Sequence, residues 1–320
     1  MGKLKTSFDL FNRSFTVIKQ NKKLLLFPMI EFVFIIIIGI FFLSPAFFWN
    51  SGYSVTDAHH WKALGVHMMQ IAEKNHTEKT TVGIISNEKW YAWCILVYLI
   101  SMFTATFFNV AFYNEIINGL NDRGVSISRG IKAALSKIKL IMIWSLFAGI
   151  VGIIIRTLEE RLSFVGRWIV GLIGIAWSVA SIFAVPVIIK EEKSFNPLKI
   201  LKTSALMLKR TWGETVIGYV GIKGFFLLVF FITLPIFIAV CFIMGNTIPM
   251  IGPVIALMVC LYIVFLFALG YLSAIANHVY RGALYVYASE GVVPGPFDED
   301  LMNRAWKVKR IYGELINGGN

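Results

Sequence analysis

Charge is what this chain has least of. Only 15% of its 320 residues are Asp, Glu, Lys or Arg, where a soluble globular domain carries about a quarter. A water-soluble protein of this size is therefore excluded. Acid is the scarcer sign, with 18 Asp and Glu against 30 Lys and Arg. Cysteine is scarce too: Cys94, Cys241 and Cys260 all lie within apolar runs. They have neither metal-ligand spacing nor the even, loop-borne pattern of a disulfide framework, and read as small buried hydrophobes. The chain has no HExxH or CxxC pattern, no P-loop, no dinucleotide fingerprint, no Gly-x-Ser-x-Gly and no paired catalytic carboxylates. No nucleophile and base stand at recognisable spacing, so the expectation is a non-enzymatic protein without a cofactor.

What fills the sequence instead is apolar: 57% hydrophobic and 15% aromatic residues, with a mean hydropathy of +0.72. A bilayer crossing needs about 20 consecutive apolar residues, and six runs meet that length: Leu24 to Phe48, Trp90 to Tyr113, Leu140 to Leu158, Phe164 to Ile189, Val216 to Met244 and Pro253 to Asn277. Each must be helical, because lipid cannot hydrogen-bond an open strand edge and nothing alternates like a barrel strand. The first run is too long for a signal-peptide core and lacks a cleavage site, so it is kept as a membrane anchor.

The basic residues fall mainly on one side of these runs. The first 23 residues hold Lys3, Lys5, Arg13, Lys19, Lys22 and Lys23, and the second connection holds Arg123, Arg129, Lys132, Lys137 and Lys139. The fourth connection holds Lys190, Lys193, Lys199, Lys202, Lys209 and Arg210, and the C-terminal segment Arg281, Arg304, Lys307, Lys309 and Arg310. By the positive-inside rule both termini are cytoplasmic, and a bacterial inner membrane is the expected location. The positive excess is thus a sidedness signal, and nucleic acid is not an expected partner. Trp49, Trp90, Trp93, Trp168 and Trp212 stand near the ends of runs, as interfacial belts require.

The basic segments carry a helical pattern of their own. In the arm, Phe8, Phe11, Phe15 and Ile18 share one face. In the second connection Ile127, Ile131, Leu135 and Ile138 do so opposite Arg129, Lys132 and Lys139. In the fourth, Leu198, Leu201, Ala205 and Leu208 do so after Asn196-Pro197, an N-cap followed by a first-turn proline. A membrane-facing stripe beside a basic face is the signature of a helix in the headgroup plane, which makes the bilayer and its anionic headgroups the expected partners. The chain divides into an amphipathic arm over 1–23, a transmembrane domain over 24–291 with an outer loop over 50–89, and a basic tail over 292–320. The predicted class is all-α: a polytopic protein of six transmembrane helices with basic interfacial helices. Three repeats of amphipathic helix, span, outer turn and span start near Ser7, Ser126 and Ser194, and bundle around a pseudo-threefold axis. The plainer alternative is that any polytopic chain has basic cytoplasmic loops. Homo-oligomerisation stays open, and the tail is read as a fourth interfacial helix or a partner-binding helix.

Ionisable groups inside spans are costly and are the first functional candidates. Glu31 and Lys223 both approach mid-membrane from the cytoplasmic side at similar depth, so an ion pair between them is geometrically allowed. With Asn109 they outline a candidate intramembrane polar site; a structural clasp, or a snorkelling Lys223, is the alternative. Arg156, Glu159, Glu160 and Arg161 form an outer charged corner in which spacings of three and four put Arg156 beside Glu159 and Glu160, as in a local salt bridge; it is a gate or anionic-solute site on one reading and a structural cap on the other. His278 reads as interfacial. Gly218, Gly221 and Gly224 hint at a tight interface or hinge. His59, His60, His67 and His76 share the outer loop with Asp57, and His60 and His67 stand two turns apart, but with no supporting motif no metal is assigned.

Thr106-Phe-Phe-Asn109, Arg156-Thr-Leu-Glu-Glu-Arg161, Ala176-Trp177-Ser178, Val185-Pro186-Val187, Lys209 through Gly218, Tyr271-Leu-Ser-Ala-Ile, Arg281-Gly-Ala-Leu-Tyr285, Tyr287-Ala288 and Gly291 together carry a resemblance. The chain resembles a family of uncharacterised six-span prokaryotic integral membrane proteins known as domain of unknown function 6159. The likeness covers nearly everything but the outer loop and the tail after Asp298. The layout is also similar to the membrane domain fused to some glycerophosphodiester phosphodiesterases, though nothing after residue 300 is long enough to be a hydrolase. The resemblance implies a fold and a membrane, with no assigned chemistry. Two functions follow as expectations: transport or permeation of a small solute or lipid, favoured by two opposite charges at one depth, and a membrane-organising scaffold that binds anionic lipid or a protein partner through its amphipathic helices.

Overall fold

The computed structural model describes residues 3–47, 54, 56–63, 65–66, 84–191, 195–210, 212–247, 252–295 and 297. Side chains are described for most of these, but not for 3–8, 10–11, 43–47, 84–91, 164, 210, 212–226, 228 or 246–247. Among the described residues, besides a helical stretch at 58–63 in the outer loop, ten α-helices follow one another: α1 (Lys3–Gln20), α2 (Leu26–Phe47), α3 (Ile84–Leu120), α4 (Ile127–Ser136), α5 (Ile138–Arg161), α6 (Phe164–Ala180), α7 (Ala184–Lys190), α8 (Pro197–Arg210), α9 (Trp212–Thr247) and α10 (Gly252–Glu290). A single 3₁₀ turn, Lys22–Leu25, links the first two.

Five stretches are long and apolar enough to cross a membrane: Lys22–Phe42, Ala92–Leu120, Ile138–Arg161, Val165–Lys190 and Gly252–Glu290. The chain is thus an all-α polytopic membrane protein. The sixth apolar run lies in α9, whose described apolar stretch is the shorter Val229–Gly245.

One helix organises the rest. At 1.5 Å per residue, the 37 residues of α3 extend about 55 Å, well past the bilayer core, and α3 touches α2, α4, α5, α7 and α10. The best-buried side chains gather around its C-terminal third, where Val110, Ala111 and Ile116 meet Ile275, Tyr280 and Tyr285 of α10, Ile141 of α5 and Ile188 of α7. This core lies at the end carrying the basic connections. Towards the other end Phe32 and Ile36 on α2, Ile154 on α5, Leu172 on α6 and Phe267 on α10 are exposed. In water such a surface would be prohibitive; in hydrocarbon it is the solvated state.

Where helices touch most closely, glycine permits it. A Cβ on Gly282 of α10 would come within 2.6 Å of Ile116 Cγ2, and one on Gly130 of α4 within 2.8 Å of the Ala111 carbonyl oxygen. These small positions let α10 and α4 approach α3 at backbone distance. Positive φ at Asp122 and Gly124 makes the sharp turn from α3 into α4.

The fourth span breaks at Ser181–Phe183, between α6 and α7. Pro186 has no N–H to give to the Ile182 carbonyl, and its ring crowds that oxygen, so the helix cannot run through. The Phe183 N–H left over donates to Ser204 Oγ on α8 at 3.0 Å, and Ser204 is fully buried. A polar residue on a basic helix thereby repairs a break in a span.

The three basic helices do not expose a single apolar stripe as expected. Ser14, Val17 and Ile18 of α1 are buried, as are Gly130 and Ala134 of α4 and Ile200, Ser204 and Leu208 of α8. Leu135, Ile138 and Leu198 of the predicted stripes are exposed instead, as is Phe15. The stripes are wider than one contact requires, so part packs on the bundle and part is left outside. Asn196 does cap α8, its Oδ1 accepting from the Leu198 N–H at 2.9 Å. The side chains of the predicted stripe residues Phe8 and Phe11 and of Trp90 and Trp212 and the surroundings of Gly218, Gly221 and Gly224 are not described, and Trp49, most of the outer loop and nearly all of the tail lie outside the described residues.

If close approach to α3 sets the bundle, Gly282→Val will destabilise it by about 1–3 kcal/mol through overpacking. Gly270→Ala in the same helix, where a Cβ meets nothing within 4 Å, should leave the melting temperature unchanged or higher. Thermal unfolding in mild detergent compares the two, and equal melting temperatures would count against the close-contact account.

Candidate functional site

The most buried charge in the described structure is a residue the sequence reading passed over. Glu115 on α3 has no exposed surface. It is the only ionisable acid between Trp90 and Leu120, and a span ending at Tyr113 had consigned it to a polar connection. Its carboxylate is held on every side. Arg129 of α4 binds it in a fork, Nε to Oε1 at 2.9 Å and Nη2 to Oε2 at 2.6 Å. The Ser126 backbone N–H, at the start of α4, donates to Oε2 at 2.7 Å, and the Asn114 amide to Oε1 at 3.0 Å. The carboxylate therefore also sits at the positive end of a helix. Arg129 reaches on to the Gly124 carbonyl at 2.6 Å, which locks the α3–α4 turn, and its contact with Glu115 raises the guanidinium's already high pKa. A fully bonded buried pair of this kind specifies one arrangement of two helices.

Two residues earlier on α3, at Tyr113, a second polar cluster joins it to α10. The Tyr113 hydroxyl lies 3.1 Å from His278 Nδ1 and is hydrogen-bonded by Arg281. The His278 ring packs against Phe112 and Tyr113, with centroids 5.5 and 5.3 Å away. His278 is consequently an interhelical residue: α10 runs twelve residues beyond it, to Glu290. The same face buries Asn277, whose Oδ1 finds no hydrogen-bond partner among the described residues. The Tyr271 hydroxyl on α10 donates to the Leu25 carbonyl of the 3₁₀ turn.

The predicted intramembrane site is only partly visible. Glu31, half-buried on α2, makes no ion pair or hydrogen bond among the described residues. Asn109 donates to the Ala105 carbonyl of its own helix at 2.8 Å and does not reach Glu31. The Lys223 side chain lies outside the described residues. Of the outer corner, Arg156 Nε pairs with Glu160 Oε1 at 2.6 Å, the i to i+4 contact the spacing predicted, while Glu159 lines an open groove between α5 and α6. In the outer loop Asp57 accepts from the His59 backbone N–H and lies 2.9 Å from its ring nitrogen, contacts that hold its carboxyl below the usual range. His67 and His76 lie outside the described residues, and no three metal-ligating side chains gather among the described ones.

At the basic end, Lys190 pairs with Glu290 across α7 and α10. Lys199 meets Glu191 at 3.3 Å, and Lys137 Nζ donates to the Glu191 carbonyl at 2.6 Å. Exposed Lys22, Lys23, Lys132, Lys139 and Lys202 make no ion pair among the described residues. Beside them stand exposed apolar side chains: Leu135, Ile138, Phe195, Leu198 and Leu206.

Spanning helices, a closed polar core on α3 and a basic, partly apolar end define a polytopic helical membrane protein. Residues 89–295, about two thirds of the chain, match a family of unknown function, DUF6159, and the chain belongs to that family. The match is narrower than the resemblance implied, leaving out the arm and the first span as well as the outer loop. No curated protein and no solved structure matches the chain.

Arg129→Met would strand the Glu115 carboxylate and should cost about 3 kcal/mol or more. Adding Glu115→Leu should recover part of that loss, because the pair is then removed together. A double-mutant cycle on unfolding in detergent measures the coupling, and additive losses would show the pair to be inessential.

Proposed function

We propose that this protein is a non-enzymatic, six-span scaffold of a bacterial inner membrane, with both termini cytoplasmic, which organises anionic lipid at its basic end. The observation that carries this is the double character of α4 and α8. Each buries one face on the bundle and leaves exposed apolar side chains beside lysines that make no ion pair among the described residues: Lys132 with Leu135 on α4, continued by Lys139 and Ile138 at the start of α5, and Lys202 with Leu198 and Leu206 on α8. A helix that served only the bundle would not need the exposed apolar residues, and a helix in water would not keep them. In the headgroup plane the apolar side chains enter the acyl boundary and the lysines meet phosphate. The dense packing around Val110, Ile116 and Tyr280 supports a dry inner end. In this reading α9 is the sixth span, and the order α1–α2–α3, α4–α5–α6/α7, α8–α9–α10 is a threefold repeat of one basic helix and two long ones.

The full-length protein in nanodiscs should retain anionic lipid in preference to neutral lipid at low salt, with a weaker preference at high salt. Each of Lys132→Gln, Lys139→Gln and Lys202→Gln should weaken that preference by about fivefold or less, given roughly 1 kcal/mol per surface lysine. Equal retention of neutral and anionic lipid would defeat the proposal.

A second reading, permeation of a small solute or lipid, is favoured by one observation: a half-buried Glu31 within a span, with no partner among the described residues. On that reading Glu31→Gln changes flux across reconstituted vesicles; an unchanged flux, or none in the parent protein, removes it.

A further inference from the structure

The end of the bundle opposite the basic connections carries an arrangement that the scaffold reading does not use. α5 and α6 run antiparallel through the short turn at Leu162 and Ser163. An open groove of about 470 Å³ lies between them, walled by Gly152, Gly171 and Gly174. A second of about 390 Å³ lies along α6, walled by Trp168 and Leu172. Gly171 and Ile175 line both, so the two grooves adjoin across α6. Both are mostly apolar, and the neighbouring Ile154, Ile169 and Ile173 are exposed, so the grooves open where a membrane would supply hydrocarbon.

Each groove ends in a charge of opposite sign. Glu159 lines the first and Arg167 the second. Both stand four residues from Ser163, one before and one after it, and so at about the same height. They do not meet each other, and neither makes an ion pair or side-chain hydrogen bond among the described residues. Arg156, which also lines the first groove, is occupied by Glu160. Beside Arg167 is the start of α6, where Ser163 makes no side-chain cap bond, leaving first-turn N–H groups for an anion.

We propose that this end of α5 and α6 binds one zwitterionic phospholipid whose headgroup carries a primary ammonium. Its two acyl chains lie astride α6, one in each groove; its phosphate meets Arg167 and the first turn of α6, and its ammonium meets Glu159. The charges select the headgroup. A purely anionic headgroup would leave the Glu159 carboxylate unpaired, with a like charge beside it. A choline headgroup has no N–H to donate and forms no charge-assisted hydrogen bond. The site is distinct from the basic end and does not depend on the scaffold reading.

Native mass spectrometry of the full chain, with added ethanolamine and choline phospholipids of identical acyl chains, tests this. Both lipids are zwitterionic, so the basic end treats them nearly alike. The ethanolamine lipid should bind about tenfold more tightly, the worth of one good charge-assisted contact, and Glu159→Gln should abolish that preference. Gly171→Leu places a side chain where both grooves meet and where a Cβ touches nothing within 4 Å. It should remove binding of both lipids at this site without lowering the melting temperature. Equal affinities in the parent protein, a preference that survives Glu159→Gln, or binding untouched by Gly171→Leu would overturn the proposal. So would loss of a dimer in Gly171→Leu with lipid binding unchanged, which would assign the grooves to a second copy of the chain.

Discussion

A carboxylate with no exposed surface, inside a helix otherwise fit for hydrocarbon, is the constraint from which the inner half of this protein follows. Glu115 cannot stay charged there without donors on both oxygens. The amide of Asn114 on the same helix provides one, and Arg129 and the Ser126 N–H provide the rest; these last stand within reach only if α4 folds back along α3. That fold-back needs left-handed backbone at Asp122 and Gly124 and a missing Cβ at Gly130. Once α4 is placed, α5 must start beside α3, and the chain is committed to the layer in which α7, α8 and α10 find their seats.

The same layer explains why short basic helices and long apolar ones are not separable parts. Ser204 of α8 supplies the acceptor that a proline-broken span requires, and the Lys190–Glu290 pair joins the end of that span to the end of α10. The amphipathic helices are therefore structural at one face and available to the membrane at the other. Packing tightens towards the basic end and loosens towards the opposite end, where the helices present side chains chiefly to lipid. The two ends therefore present two different surfaces: lysines with scattered apolar residues at one, and paired grooves crowned by a separate acid and base at the other.

Much of this layout was legible beforehand because its causes are local. The run lengths marked five spans, the lysines the basic end, Asn196-Pro197 the start of α8, and the Arg156 to Glu160 spacing an actual ion pair. What escaped depended on which residue ends up beside which. The second apolar run stops at Tyr113 and so leaves Glu115 out, although a lone acid in a helix that continues to Leu120 is the signal that finds it. His278 reads as interfacial because the last apolar run ends at Asn277, whereas α10 carries on and buries Tyr280 and Tyr285. The amphipathic stripes were right in period but not in which part faces the bundle, since one stripe can serve two neighbours and periodicity does not name them.

By itself the sequence determined the solvent of this protein, its helical class and the end at which its positive charge collects. Those properties are sums over residues, set by transfer free energies and helix geometry, whatever the contacts. Only the tertiary structure decided where charge can be buried, which faces of the basic helices remain outside, and that Glu159 and Arg167 stand level yet apart at the mouths of adjoining grooves. Those outcomes depend on distances between side chains on different helices, and a pattern along one chain carries no such distances until the helices have packed.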